Sequence, residues 1–319
     1  MSGRNNVVVR GLKGVALPIG AIVVLLILFS LLAPSFFQPN TAVTILRESS
    51  ALLVVAIGMT FVVLMGSIDL SVGATVTLAG LVSATVAKDG SWVVAILAGI
   101  AVGVIVGLAN GVIFAYTKVP SFLTTLGMGL VVGGVGLWFV GGRPVQVFNL
   151  DFTNISQGRF LLGLPNIALW AILLWVIISL VGSKTRFGRY TFAIGGAEVV
   201  SGLAGIPIRR MKLWVLVLSG VMAAIAGVLL ASRIGAATPG MGDRLTLDSI
   251  AAVVIGGTAL TGGVGGVHRT ILGVLVITTL SVGLNTMGVA PYLQDIIQGA
   301  VVILAVALTL DRSKLTVIK

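Results

Sequence analysis

The chain has 319 residues, of which 57% are hydrophobic and 9% charged. A soluble domain carries about 25% charged residues, so this chain cannot cover its own surface in water, and lipid must be the solvent for much of it. The net charge of +11 sits in short loops at the ends of apolar runs, without interleaved aromatics, which sets nucleic acid aside. No cysteine is present, which excludes a disulfide framework and a thiolate metal site.

A helical crossing takes about 20 apolar residues, and the chain has room for about ten. Arg4, Arg10 and Lys13 precede an apolar run over residues 15–33. That run is longer than a signal-peptide core, and no small-residue cleavage site follows it. It reads as an uncleaved first span behind a cytoplasmic tail, residues 1–14. Residues 34–48 read as a short outer loop. A second span covers about 51–66, and SIDLSVG (67–73) interrupts the chain before a third over 74–87. The fourth runs over 92–116, and Pro120 opens a fifth that reaches Gly141. Residues 142–165 form a polar outer segment, and 166–181 a sixth span.

Residues 182–212, GSKTRFGRYTFAIGGAEVVSGLAGIPIRRMK, are the longest polar island in the chain and have room for one or two short helices. The seventh span covers 213–231. An outer stretch with Arg233, Asp243, Arg244 and Asp248 follows. A shorter apolar run, 250–260, breaks into TGGVGGVHRT before a ninth span over 271–287. Pro291 starts the tenth, which ends before Asp311 and a basic tail, 311–319. The membrane domain is therefore 15–310. In this arrangement the cytoplasmic side collects most of the lysines and arginines, as the positive-inside rule requires.

Two breaks look alike. Gly66-Ser67 leads to Leu70-Ser71-Val72-Gly73, and Gly257-Thr258 leads to Leu260-Thr261-Gly262-Gly263. Irregular backbone at membrane depth needs protein or a water-filled space to satisfy it. Gly66, Asp69, Ser71, Gly73, Gly257, Thr258, Thr261 and Gly262 are therefore candidates for a translocation path or a bending helix. The plainer reading is close packing at glycine, with Asp69 capping the third span near an interface, and for Asp69 the cap is favoured. Gln294 and Gln298 are four apart and share a helix face. They could bind sugar hydroxyls or join two helices, and the second is favoured. His268 stands alone and is not a metal site. No acid–base pair or activated nucleophile points to an intramembrane enzyme. The phosphate-binding pattern GxxxxGK[ST] is missing, so if ATP drives this protein another chain binds it.

IDLSVG (68–73), TRFGRYTFAIGGAEVVSGLAGI (185–206) and DSIAAVVIGGTALTGGVGG (248–266) together resemble the permease subunits of bacterial ABC importers for ribose and related sugars. The motifs fall in the same order and spacing, and the chain is of matching length. The resemblance implies an all-α polytopic protein of the bacterial inner membrane, with broken helices and the type II architecture of the cobalamin importer. It implies kinship with branched-chain amino-acid permeases. It also implies a pore made of two permease copies, a cytoplasmic ATPase that holds ATP and Mg, and a periplasmic sugar-binding protein. This chain would carry no cofactor and no catalytic residue.

The family's coupling segment falls on Gly196, Ala197 and Glu198 through Leu203, Ala204, Gly205 and Ile206. The sequence departs from the family pattern at Ala197 and at Gly202, which weakens a helix. Leu203 and Ile206 are three apart and are expected to face one groove together. Arg186 and Arg189 would hold the loop to a partner or to anionic head groups, or would only fix topology. The rivals are a branched-chain amino-acid permease, a secondary carrier and an intramembrane enzyme.

Overall fold

A computed structural model describes residues 2–309 apart from Leu162. The expected tail over 311–319 lies outside the described residues. These fold into thirteen α-helices. The first seven are α1 (Ser2–Leu32), α2 (Pro39–Leu64), α3 (Val72–Asp89), α4 (Trp92–Tyr116), α5 (Ser121–Val140), α6 (Leu150–Gln157) and α7 (Asn166–Lys184). They are followed by α8 (Arg186–Gly196), α9 (Glu198–Leu203), α10 (Ile208–Ile234), α11 (Asp243–Ile255), α12 (Val267–Thr286) and α13 (Pro291–Thr309). Two short strands, β1 (Val145–Gln146) and β2 (Ala236–Ala237), pair antiparallel with Val145 opposite Ala237. Among the described residues six helices are long and apolar enough to cross a membrane: α2, α4, α5, α7, α10 and α12.

The core is built on α2 and α10. Every residue of α2 from Ser49 to Leu64 is buried, and α10 packs against α2, α3 and α4. Four glycines spaced by four, Gly99, Gly103, Gly107 and Gly111, put one stripe of α4 directly on α10. A Cβ at Gly107 would lie 2.7 Å from the Leu216 carbonyl oxygen and from Val217 Cα, and one at Gly111 would lie 2.9 Å from Leu213 Cα. Membrane helices have little hydrophobic drive to associate with each other. Small residues that let backbones touch supply the packing energy instead. The other side of α4 exposes Val94, Leu97, Ile105 and Val112, and α5 exposes Leu126, Leu130 and Trp138, as a lipid-facing surface requires.

Several boundaries differ from the sequence expectation, for one physical reason: an apolar run marks contact with lipid or core, not the length of a helix. Residues 34–48 are not a loop. A 3₁₀ turn (Pro34–Phe37) leads straight into α2, whose polar first turns carry Arg47 and Glu48. Likewise α11 begins at Asp243, and Arg209, Arg210 and Lys212, at the end of the expected loop over 182–212, lie in the first turns of α10. The segment 142–165 holds β1 and α6. Phe152 of α6 is fully buried, and Ser156 donates from Oγ to the Leu229 carbonyl at 2.8 Å.

Candidate coupling and translocation site

The first break starts where Gly66 turns into the left-handed region (φ 74°) after α2 ends. Residues 67–71 then run irregularly to the start of α3. Backbone groups without helical partners find them on α5. Ser121 Oγ accepts from the Ile68 N–H at 3.3 Å, and Thr125 Oγ1 accepts from the Leu70 N–H at 2.9 Å. Neither hydroxyl was singled out from the sequence, although their spacing of four puts both on one face of α5.

Asp69 is 1% exposed. Its Oδ1 accepts from the N–H of Ser71 at 2.9 Å and from Ser71 Oγ at 2.6 Å, and its Oδ2 accepts from Ser219 Oγ at 2.8 Å. Asn110 Nδ2 donates to Ser71 Oγ at 2.8 Å. Asp69 thus takes an N–H at the start of α3, and it is buried inside the bundle. Ser219 is eleven residues into α10, about 16 Å along a helix of about 40 Å. The carboxylate is a buried node that ties the first break to α4 and α10. Gly73, two residues beyond Ser71, donates from its N–H to Thr246 Oγ1 at 3.0 Å, so the N-terminal turns of α3 and α11 abut.

The second break, between α11 and α12, holds left-handed glycines at Gly257, Gly262 and Gly263. Thr258 stays buried, and its Oγ1 accepts from the Gly266 N–H at 3.3 Å, while Thr261 is exposed. The two breaks touch each other. Gly263 donates from its N–H to the Leu64 carbonyl at 2.9 Å. A Cβ at Gly262 would lie 2.7 Å from Gly66 N and 2.9 Å from Gly195 Cα, and one at Gly263 would lie 2.7 Å from Gly196 Cα. Three backbones therefore meet without side chains between them: the end of α2, the second break, and the end of α8.

Thr185 caps α8, with its Oγ1 accepting from the Gly188 N–H at 3.4 Å. The helix buries Gly188, Thr191 and Ile194 and leaves Arg186 and Arg189 exposed. Short helix α9 follows. Its Val199, Val200 and Leu203 are 77%, 64% and 86% exposed, a bare apolar face next to polar loop. Glu198 anchors the helix through an ion pair to Lys212 Nζ at 2.7 Å. The helix ends at Gly205, φ 81°, with the Ile206 N–H donating to the Ser201 carbonyl at 3.1 Å. This left-handed ending turns Ile206 back into the core. Leu203 and Ile206 therefore do not share a face. Val199 and Val200, adjacent valines in a polar loop, supply the surface that the sequence expectation gave to Ile206.

At the end of the bundle away from α8 and α9 a cavity of about 500 Å³ opens between α2, α10, α11, α12 and α13. Gln294 lines it and donates from Nε2 to the Val289 carbonyl at 2.8 Å. Gln298 ties three helices. Its Nε2 donates to Ser281 Oγ on α12 at 2.6 Å, and its Oε1 accepts from Arg244 Nη2 on α11 at 2.8 Å. The two amides thus share a helix face without sharing a role.

A bundle of apolar helices, two of them continued through glycine breaks that meet beside the end of α8, is a polytopic membrane permease. Residues 41–306 match the family described as branched-chain amino acid transport system / permease component. The chain belongs to that family. It is 41% identical over 300 residues to the ribose import permease protein RbsC of Bacillus subtilis (strain 168), covering 93% of this chain and 92% of the relative. It is 38% identical to RbsC of Escherichia coli (strain K12), covering 90% of each chain. The galactose/methyl galactoside import permease protein MglC of E. coli (strain K12) is 37% identical, covering 91% of this chain and 93% of its own length. Apolar helices and permease relatives together make this a multi-pass protein of the inner membrane, a transport subunit rather than an enzyme.

Proposed function

We propose that the chain is the membrane-spanning subunit of an ATP-driven importer that carries a monosaccharide inward by alternating access. Relatives named for ribose and galactose, matched over nine-tenths of the chain, favour a sugar over the branched-chain amino acids in the family's description. Ten crossings suit the helix order, counting α1, α3, α11 and α13 with the six long helices. In that count α8 and α9 are cytoplasmic, within a coupling loop over residues 182–212. The type II architecture, a homodimeric pore, an ATPase partner that holds ATP and Mg, and a periplasmic sugar-binding protein complete the proposal.

The observation that carries it is the bare apolar face of α9, held by Glu198 on Lys212 and joined through Gly195 and Gly196 to both helix breaks. An ATPase that grips α9 moves the backbone at the breaks directly. Closing of the ATPase pair then shifts the population between outward and inward access. Leu203→Asp tests this. A charge in an apolar docking groove costs on the order of 2–4 kcal/mol, the scale of a hot-spot contact. The variant should insert normally yet lose both co-purification of the ATPase and sugar uptake. Retention of the ATPase with normal uptake refutes the role of α9.

A further inference from the structure

Where α7 ends and α12 begins, a second cavity opens, of about 350 Å³. Its wall takes Ser179 and Ser183 from α7, Arg189 and Phe192 from α8, and Val267 and His268 from α12. Trp175 of α7 donates from Nε1 to the Val267 carbonyl at 3.1 Å, which fixes the first turn of α12 against α7. Both α7 and α12 are long and apolar enough to cross a membrane. The cavity therefore lies where crossing helices end, at the depth of lipid head groups.

The polar groups of this wall favour an anion. Arg189 lines the cavity, and no aspartate or glutamate does. Lys184, Arg186, Arg189 and Arg269 make no ion pair among the described residues. Arg189 spends one N–H on the Lys184 carbonyl, from Nη1 at 3.3 Å. Gly266 offers α12 no capping side chain, and the N–H groups of Val267 and His268 have no hydrogen-bond partner among the described residues. Unpaired N–H groups at the start of a long helix attract negative charge. Ser179 adds an independent sign. The hydroxyls of Ser183, Thr185 and Thr191 donate to the carbonyl four residues earlier. Ser179 does not, and its buried Oγ has no partner among the described residues. A buried hydroxyl left in this way is costly to keep.

The cavity also adjoins an apolar surface. Leu173, Val176, Ile177 and Leu180 are exposed along one stripe of α7, and Ser183, at the edge of that stripe, lines the cavity. A soluble phosphate matches the cavity alone, whereas a phospholipid matches both, with its phosphate in the cavity and its acyl chains on the stripe. The surplus of unpaired cations selects a lipid of net negative charge. We propose that this cavity binds the phosphate head group of an anionic phospholipid. Arg189 holds the phosphate oxygens with its planar fork, and the first N–H groups of α12 face them. Because Arg189 stands on α8 and Val267 follows the second break, the head group ties α8 to α12 beside the junction of the three backbones. The site is independent of which substrate the permease carries.

The test uses the full chain in nanodiscs of phosphatidylcholine and phosphatidylglycerol mixed in equal parts. Native mass spectrometry counts the lipids that stay on the released chain, and thermal unfolding is followed in the mixture and in phosphatidylcholine alone. The wild-type chain should retain phosphatidylglycerol in preference and unfold at higher temperature in the mixture, since a ligand of the folded state stabilises it. Arg189→Gln should reduce that preference about tenfold, as expected for lost hydrogen bonds to a charged group, and should unfold like the wild type in phosphatidylcholine alone. Arg209→Gln is the control. Arg209 is exposed like Arg189 and lies in the first turn of α10, but it does not line the cavity, so its loss should leave the preference unchanged. Equal losses in the two variants overturn the site and leave only the diffuse attraction of a basic surface. A wild-type chain that retains both lipids alike overturns it as well. Inorganic phosphate added to the phosphatidylcholine nanodiscs distinguishes the two sources of phosphate. If it stabilises the wild type as much as phosphatidylglycerol does, and Arg189→Gln abolishes the effect, the occupant is a soluble phosphate and the lipid assignment falls.

Discussion

Gly195→Ala is the sharpest probe of the junction where α8 meets the two breaks. The new Cβ would run into the Leu64 carbonyl oxygen and approach Gly263 N to 2.6 Å. Those atoms are the acceptor and donor of the 2.9 Å hydrogen bond that joins α2 to the second break. Either the bond opens or α8 moves outward. An opened bond leaves buried groups unsatisfied at about 1–3 kcal/mol. Forced separation of packed backbone costs about 1–3 kcal/mol. By either route the expected loss is about 1–3 kcal/mol. The adjacent Gly196 provides the control, because a Cβ there meets nothing within 4 Å. Gly196→Ala should be neutral, or stabilising by up to about 1 kcal/mol as alanine replaces glycine in a helix. Thermal unfolding of the purified chain and sugar uptake by the complete importer measure the contrast. Gly195→Ala should unfold at lower temperature and transport poorly while still co-purifying with the ATPase, since α9 is untouched. If the two variants behave alike, the three backbones are not in functional contact and the coupling route is wrong.

Two further outcomes follow from the packing. Gly107→Val should drive α4 off α10 and cost about 1–3 kcal/mol or more in unfolding measurements, whereas Gly133→Ala on α5, with nothing within 4 Å of the added atom, should change little. In a double-mutant cycle of Asp69→Asn and Ser219→Ala, unfolding free energies should show a coupling of about 1–3 kcal/mol; strict additivity would mean that the 2.8 Å contact between them contributes nothing.

Much of the helix order could be read from the chain, because apolar runs of span length and basic loop residues are local signals. The fourth span and α4 coincide at Trp92–Tyr116. The two glycine breaks were also visible as composition. Their meeting was not. Residues 64–66, 195–196 and 262–263 are far apart in sequence, and nothing local says that bare backbone in one will touch bare backbone in the others. The burial of Asp69 was hidden for a related reason: nothing local to the break says that Ser219 of α10 reaches its carboxylate. Ile206 was misjudged because spacing of three implies a shared face only while the helix continues, and Gly205 ends it. The four glycines of α4 stood at a regular spacing of four throughout, but which helix they admit depends on tertiary packing.

The seam between α4 and α10 also bears on how motion is transmitted. Two backbones in direct contact leave no rotamer between them to absorb strain, so the pair behaves as a single stiff lever. Its lower end is held at Lys212 by Glu198 of α9. Twenty-one residues further along, about 31 Å away, Arg233 grips the Arg47 carbonyl at 3.2 Å and the Glu48 carboxylate at 3.0 Å. Under the proposed coupling, a stroke delivered at α9 would arrive at the rim of the cavity between α2 and α10 as a tilt of the whole lever. Its amplitude there would be set by the length of the arm and not by a relay of side-chain rearrangements.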